Sequence, residues 1–169
     1  MNKLIALTSV LAISGFAAAD LTVDLAGMNS WDGYGSANNE GGAGNGEVLV
    51  GITWSNVVGD GLGGASWGNE MSLAMAGSGS AVGVSFFPAE GSGSAGGVWG
   101  PSDGTIDLST YGVDQFDAWQ LYEGYDDAGG AIDATYISGT VTFHTVPIPA
   151  PGAFALLGLA GIASRRRRK

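Results

Sequence analysis

Short apolar runs separated by glycine-rich stretches constrain the fold of this chain more than any other feature of its sequence. Apolar and polar residues alternate strictly over Leu21–Leu25, and the same alternation places Val48, Val50, Ile52 and Trp54 on one face. Side chains two residues apart point to the same side of a β-strand. No long window repeats apolar residues at the helical spacing, so we expect strands and not helices.

The other predicted runs, each offering one side to a core, are Met71, Leu73 and Met75; Val82, Val84 and Phe86; residues 105–108; Trp119 and Leu121; and Ile137, Val141 and Phe143, where Gly139 interrupts the row. Seven or more short strands with glycine-rich turns predict an all-β fold, a single β-sandwich or jelly roll. The 31 glycines would also suit a partly disordered body. Against disorder, the 16 aromatic residues supply large side chains for a core.

Charge divides the chain into a body and two ends. All 16 Asp and Glu lie between Asp20 and Asp133, whereas the six basic residues are Lys3 and the run 165–169. A body without Lys or Arg cannot neutralise a nucleic-acid backbone, hold a phosphate by a guanidinium fork, or form a Schiff base. The absence of cysteine excludes disulfides, thiol nucleophiles and thiolate metal sites.

The N-terminus, residues 1–19, has the pattern of a secretory signal peptide. A basic start is followed by an apolar run over residues 4–16, and the small residues Ala17 and Ala19 precede Asp20. The run is shorter than the roughly 20 apolar residues of a membrane span, and small-x-small is typical of a signal cleavage site. We expect a mature chain that begins at Asp20; the alternative is an uncleaved N-terminal anchor.

The C-terminal segment, residues 146–169, has three parts. Pro147, Ile148 and Pro149 begin a proline-rich stretch that favours extended backbone and is expected to continue neither a strand nor a helix. Residues 152–164 are apolar and are expected to form a short transmembrane helix. The third part is a basic cluster that would stop the tail in the cytoplasm. Its residues are Arg165, Arg166, Arg167, Arg168 and Lys169.

Together these three parts resemble the PEP-CTERM sorting signal of bacterial surface proteins. In that family a Pro-Glu-Pro motif precedes a short transmembrane helix and an arginine-rich end. Here Ile148 stands in the place of the Glu. The resemblance implies that an exosortase-like membrane enzyme cleaves at the motif, so that the protein is first held at the membrane and then reaches the cell surface or the extracellular space. The alternative is a plain C-terminal membrane anchor.

The second half of the body is similar to the C-terminal part of P-domains, over residues 66–143. A strand with a tryptophan, 116–123, is followed by a loop of Asp and Gly, 125–134, and a final strand, 138–143. P-domains are β-sandwiches of the galactose-binding-like type and are not themselves catalytic. The resemblance therefore implies a sandwich and specifies no ligand.

Asp126, Asp127 and Asp133 are the most clustered carboxylates and the candidate metal ligands. Ca²⁺ prefers hard oxygen ligands such as these, although their spacing does not match an EF-hand loop. The alternative is a polar turn, since Asp and Gly commonly turn the chain. Apart from this candidate Ca²⁺ site, we expect no cofactor.

Catalytic and sugar-binding residues are harder to identify. His144 is the only histidine, and its place at the end of the last predicted strand, beside the processing motif, makes it a poor catalytic candidate. No carboxylate spacing singles out a glycosidase pair. Trp31, Tyr34 and Trp99 are expected in glycine-rich loops and not on strands, where they could stack on sugars or fold back into the core.

Three functional hypotheses follow. In the first, a non-enzymatic protein with its body at residues 20–145 is exported to the cell surface or extracellular matrix for a structural or adhesive role, with exopolysaccharide as a candidate partner. The second is a carbohydrate- or Ca²⁺-binding surface module. The third is a small secreted hydrolase, which the lack of Cys and Lys in the body disfavours. We predict that the protein is not an enzyme.

Overall fold

The computed structural model describes residues 20–31, 33, 39–42, 47–62, 67–77, 84–89, 96–110, 115–124 and 132–148. These residues form β-strands and contain no helix, which confirms the all-β prediction. The strands are β1 (Leu21–Asp24), β2 (Asn29–Trp31), β3 (Glu40–Gly42), β4 (Glu47–Gly61), β5 (Met71–Gly77), β6 (Val84–Phe86), β7 (Gly97–Asp107), β8 (Phe116–Glu123) and β9 (Ile132–Pro147).

Within the described ranges the strands form two antiparallel sheets, an arrangement consistent with a β-sandwich. Sheet A has the order β1-β9-β4-β7, with β2 also paired to β9, and sheet B has the order β3-β8-β5-β6. The longest ladder joins β4 to β9, from Glu47 opposite Pro147 to Gly61 opposite Ala134. Strand β9 is therefore the centre of sheet A, since it also carries β1 and β2 on its other edge.

One hydrophobic core lies between the two sheets. Three aromatic contacts join them: Phe116 to Phe143 at 5.1 Å between ring centroids, Trp119 to Phe143 at 6.4 Å, and Trp54 to Phe86 at 5.0 Å. The predicted row Met71, Leu73 and Met75 is confirmed, because all three side chains are buried in this core. Leu25, Leu121, Val141 and Phe143 are buried with them.

The predicted apolar face of β4 is wrong at its start. Leu49 and Ile52 are buried, whereas Val48 and Val50 are only half-buried. The cause is a bulge, since the register against β9 shifts between Leu49, opposite Thr145, and Gly51, opposite His144. One extra residue in a strand reverses which side chains point inward beyond it.

A second irregularity overturns the predicted row of β9 at Ile137. Ile137 is 49 % exposed, and its neighbour Tyr136 is completely buried instead. The register against β4 shifts here as well, between Val58 opposite Ser138 and Gly59 opposite Tyr136. The predicted interruption at Gly139 has a steric reason: its φ is +115°, and a Cβ there would lie 2.5 Å from the Cα of Val57.

The proline-rich stretch begins inside the sheet, which contradicts the expectation that it would not continue a strand. Strand β9 continues through Val146, opposite Val48, to Pro147, opposite Glu47. The predicted boundary between body and tail, after residue 145, therefore falls within β9. Proline is tolerated at a strand end because the hydrogen bond that it cannot donate is not needed there.

Candidate functional site

A group of buried polar side chains lies where β8 ends and β9 begins. We call it the polar pole; its members are Ser30, Glu123, Asp133 and Tyr136. Ser30, Asp133 and Tyr136 are 0 % exposed and Glu123 is 1 % exposed. Carboxylates are among the side chains that are least often fully buried in proteins, so two of them in one small region indicate a special environment.

Strand β2 brings these residues together. Ser30 pairs with Ala134 and Trp31 with Ile132, and the register shift between the two pairs leaves Asp133 as the additional residue of β9. Just beyond β2, the N–H of Gly33 donates to the carbonyl of Glu123 at 3.2 Å. The segment from Ser30 to Gly33 therefore contacts both the start of β9 and the end of β8.

Tyr136 completes the polar pole from the middle of β9. Its N–H donates to the carbonyl of Met28 at 2.8 Å, which ties it to the start of β2. Burial raises the pKa of Tyr136 well above the ordinary value of 10.0, and the negative charge of Glu123 raises it further. The phenol and the Glu123 carboxylate are therefore close enough to interact electrostatically.

Two hydroxyl groups of the polar pole make no hydrogen bond to any residue that the structure describes. They are the Ser30 and Tyr136 hydroxyls, both buried. A buried hydroxyl without a partner costs about 1–3 kcal/mol, because it has lost its hydrogen bonds to water. Such groups in a folded protein call for an explanation, for which an ion is one of the recognised candidates.

The predicted Ca²⁺ ligands are only partly covered by the structure. Asp133 belongs to the polar pole and lies in a strand, whereas Asp126 and Asp127 are outside the described residues. Among the described residues, no group of three or more His, Cys, Asp or Glu lies close enough to hold a metal ion. The sequence analysis missed Ser30, Glu123 and Tyr136; for Glu123 the usable signal was its alternation with Trp119 and Leu121, which predicts the same inward direction.

His144 lies at the other end of β9, in a chain of hydrogen bonds. Its Nδ1 is 3.0 Å from Oδ2 of Asp20, and its Nε2 is 3.0 Å from Oγ1 of Thr53. The β4–β9 ladder places Thr53 near His144, since Gly51 lies opposite His144. Hydroxyl, imidazole and carboxylate follow one another as in a catalytic triad. The His144 and Asp20 side chains are 36 % and 49 % exposed, so the group lies at the surface.

The edge strand β7 carries two exposed acids, Asp103 and Asp107, whose pKa values are lowered by local hydrogen bonds. The Asp103 carboxylate accepts hydrogen bonds from the N–H of Asn56 and the hydroxyl of Ser55, both at 2.8 Å, and these bonds lower its pKa. Hydrogen bonds to Ser109 lower the pKa of Asp107 in the same way. Both acids are exposed, and charges on an edge strand discourage pairing with other chains.

The predicted processing sites flank the described part of the chain. Asp20, the expected first residue of the mature protein, is exposed and contacts His144, whereas Ala17 and Ala19 lie outside the described residues. Pro147 ends β9 and Ile148 is 44 % exposed. Pro149 and the basic cluster 165–169 are also outside the described residues.

Of the aromatic residues predicted to stack on sugars or fill the core, two are described. Trp31 lies in β2 and Trp99 in β7, so neither is in a loop, and both are half-buried. The Trp99 ring packs against Gly68, where a Cβ would come within 2.5 Å of it. This contact favours a packing role for Trp99. Tyr34 lies outside the described residues.

In the part of the chain that the structure describes, no helix is long and apolar enough to cross a membrane. The expected transmembrane helix, residues 152–164, is not among those residues. Comparisons of the chain with protein-family models, with curated proteins and with solved structures found no match.

Proposed function

We propose that the chain is an exported, non-enzymatic protein whose single β-sandwich or jelly-roll body is brought to the cell surface or extracellular matrix by a PEP-CTERM-like tail. Its role is structural or adhesive. In this proposal residues 1–19 are a cleaved signal peptide, and residues 152–164 form a short transmembrane helix. An exosortase-like enzyme then processes the tail at the proline motif.

The observation that carries the proposal is the continuity of β9 with the tail. Strand β9 pairs with β1, β2 and β4, and it leads into the proline motif without a linker, since Pro147 is still opposite Glu47. Thr145 adds a hydrogen bond from its hydroxyl to the Glu47 carboxylate. Cleavage at the motif would leave the new C-terminus next to the most extensively paired strand of sheet A, so a pull on that terminus would be borne by this strand, which suits a protein that is held at a surface.

Cell fractionation combined with mass spectrometry of the mature C-terminus tests this function. We expect the mature wild-type protein to begin at Asp20 and to lack the basic cluster. Pro149→Ala should trap unprocessed protein in the membrane fraction, because the motif no longer keeps the backbone extended for the protease. Pro151→Ala, outside the motif, is the matched control and should be processed normally.

Variants of the basic cluster test the sorting proposal independently. Replacing all five residues of 165–169 by Ser should let the tail pass through the membrane and produce secreted, unprocessed protein, because moving several charges into hydrocarbon is costly and neutral residues remove that barrier. Wild-type protein that stays in the membrane at its full mass, less the signal peptide, would replace the sorting proposal with simple anchoring.

The negative charge of the body limits the class of adhesive partner that we propose. A body with 16 acids and no Lys or Arg repels polyanions, so the partner class is a neutral extracellular polysaccharide. Co-sedimentation with neutral and with anionic polysaccharides at low salt tests this choice. Binding to the anionic polymer alone would contradict it.

A small secreted hydrolase is the second candidate, favoured only by the chain of hydrogen bonds Thr53–His144–Asp20. Esterase activity of the purified protein on p-nitrophenyl esters tests it, with Thr53→Val as an isosteric control that lacks the hydroxyl. We expect no difference between the two proteins. Activity that Thr53→Val abolishes would make the protein an enzyme.

A further inference from the structure

We propose that the outer side of sheet A binds a neutral polysaccharide chain, through a row of threonine hydroxyls that is bordered by aspartates. The polysaccharide class is that of the proposed function, on which this site rests. We call this surface the threonine face. Its members, strand by strand from β1 to β7, are Asp20, Thr22 and Asp24; Thr140, Thr142 and His144; Gly51, Thr53 and Ser55; and Asp103, Thr105 and Asp107.

The central row of the threonine face is produced by strand register. Thr22 lies opposite Thr142 in the β1–β9 ladder. Thr142 in turn lies opposite Thr53, and Thr53 opposite Thr105, so the row crosses all four strands. Neighbouring strands are about 4.8 Å apart, so the row is about 14 Å long. The residues next to these threonines in each strand pack in or against the core, as Phe143 does, so the threonines point outward.

Two further rows flank the threonine row. In the first, Thr140 lies opposite Asp24 and Ser55, and the Ser55 hydroxyl donates to the Asp103 carboxylate at 2.8 Å. The second passes through His144 and likewise ends in a carboxylate on each side. The corners of the threonine face are therefore four exposed carboxylates: Asp20, Asp24, Asp103 and Asp107.

The side chains of the threonine face are short and partly fixed. Its members include no Lys, Arg, Glu or Gln, whereas an ordinary solvated surface carries charges of both signs, many of them on long side chains. A partner can therefore lie close to the sheet along the whole row. Thr is restricted at χ1, and the Thr22 and Thr142 hydroxyls are hydrogen-bonded to each other at 2.9 Å. Such groups lose little conformational entropy on binding.

The hydrogen-bonding groups of the threonine face match those of a neutral sugar chain. Sugar hydroxyls donate and accept hydrogen bonds, as the hydroxyls of Thr and Ser do. The carboxylates at the corners accept strong, charge-assisted hydrogen bonds from such hydroxyls. Two of them are held in place, because Asp24 accepts from the N–H of Ala26 at 3.0 Å and Asp103 from that of Asn56 at 2.8 Å. An anionic polymer would be repelled, since the face contains no Lys or Arg.

A cationic polymer is the occupant that charge alone would favour. Two carboxylates on one strand, Asp103 and Asp107, are four residues apart, about 13 Å along the strand. Among the described residues, no three acids lie close enough to hold a metal ion together. A polycation would therefore contact the corners one at a time and leave the central hydroxyls without a role, whereas a sugar chain along the row uses both.

Co-sedimentation of the full-length chain tests the site. The detergent must lack a sugar headgroup, since such a headgroup would compete for the threonine face. The probes are amorphous cellulose and cross-linked dextran as neutral polymers, cross-linked alginate as the anionic polymer and chitosan as the cationic one. We expect saturable binding to a neutral polymer, with an affinity that changes less than about twofold when NaCl is raised to about 0.5 M, because the partner carries no charge to be screened.

Isosteric variants locate the bound chain. Thr53→Val and Thr142→Val remove neighbouring hydroxyls from the middle of the row and keep a β-branched side chain that suits a strand. Each should weaken binding to the neutral polymer about three- to tenfold, the effect of one lost hydrogen bond, and the double variant should weaken it further. Thr135→Val is the matched control: it makes the same change in β9 but outside the threonine face, and should bind as the wild type does.

The outcomes separate this site from the proposed function. If the wild type and every folded face variant bind the neutral polymers equally, the partner class stands and the threonine face is not the site. If the wild type binds no neutral polymer, the partner class and the face are both wrong, while cell fractionation still decides the sorting proposal. Binding to chitosan alone, abolished by salt, would show an electrostatic site for cations and would overturn the proposal. Asp24→Asn, at an exposed corner, gives a further test if the valine variants do not fold: it should weaken binding to the neutral polymer a few-fold, and an unchanged affinity would contradict a role for the corners.

Discussion

The two ends of β9 differ in how deeply their polar side chains are buried. Near its C-terminal end, His144 lies at the surface and contacts Asp20 and Thr53 at 3.0 Å each. Near its N-terminal end, Asp133 and Tyr136 are completely buried. Water can solvate the first group whatever its partners do, whereas the second depends on its partners alone. The energetic importance of a polar residue in this strand therefore follows from its burial and not from its chemical type.

The largest loss of stability is expected from a substitution at the buried, N-terminal end of β9. Tyr136→Ala removes a ring that is completely buried between the sheets, and aromatic-to-alanine changes in a core cost about 3–5 kcal/mol. We expect a loss of unfolding free energy in this range, measured by urea denaturation. His144→Ala is the matched change at the exposed end and should cost less than about 1 kcal/mol. Equal losses at both ends would contradict the comparison.

Removing only the hydroxyl of Tyr136 should change the stability by less than removing its ring. Tyr136→Phe keeps the volume and removes a buried hydroxyl that no described residue satisfies, so we expect a gain of about 1 kcal/mol in the free energy of unfolding. A loss of stability would mean that the hydroxyl is well satisfied in the folded protein.

The same residue makes stability depend on alkaline pH. Because burial raises the pKa of Tyr136 above 10.0, the folded state keeps the phenol neutral, and its contribution to stability is complete below pH 10.0 and is lost as the pH rises towards the folded pKa. Absorbance at 295 nm should show one of the five tyrosines ionising only with unfolding. Tyr136→Phe should shift the alkaline unfolding midpoint upwards, and an unchanged midpoint would contradict this.

The smallest effect concerns the exposed end. Asp20→Asn, His144→Asn and the double variant form a double-mutant cycle for the 3.0 Å contact between these side chains. Exposed ion pairs contribute about 0.2–1 kcal/mol, and we expect a coupling energy in this range at pH 6 that falls as salt is added. A coupling above about 2 kcal/mol would show that this end, too, behaves as buried.

The strands could be predicted from the sequence, but which of their side chains point into the core could be predicted only in part. The row Met71, Leu73 and Met75 is buried as its alternation predicts. In β4 and β9 the alternation predicted the wrong side chains, Val50 and Ile137, because a bulge depends on the register of two strands that are distant in the chain. Such a shift leaves no mark within a single run of residues.

The residues of the candidate sites, too, could be predicted from the sequence only in part. Asp133 was identified because it lies near other acids in the chain, whereas Ser30 and Tyr136 carry no local signal of a shared site. The contact of His144 with Thr53 joins residues that are 91 positions apart. It exists only because the long β4–β9 ladder places Gly51 opposite His144.

The sequence by itself determined the all-β class and the separation of the charges into an acidic body and basic ends. These properties depend on alternation and composition, which each segment carries without reference to the rest of the chain. Only the tertiary structure decided that Glu123 and Asp133 are buried at one end of β9, and that the chain remains paired as far as Pro147. Burial and strand register are set by partners that are remote in sequence, so no single segment contains them.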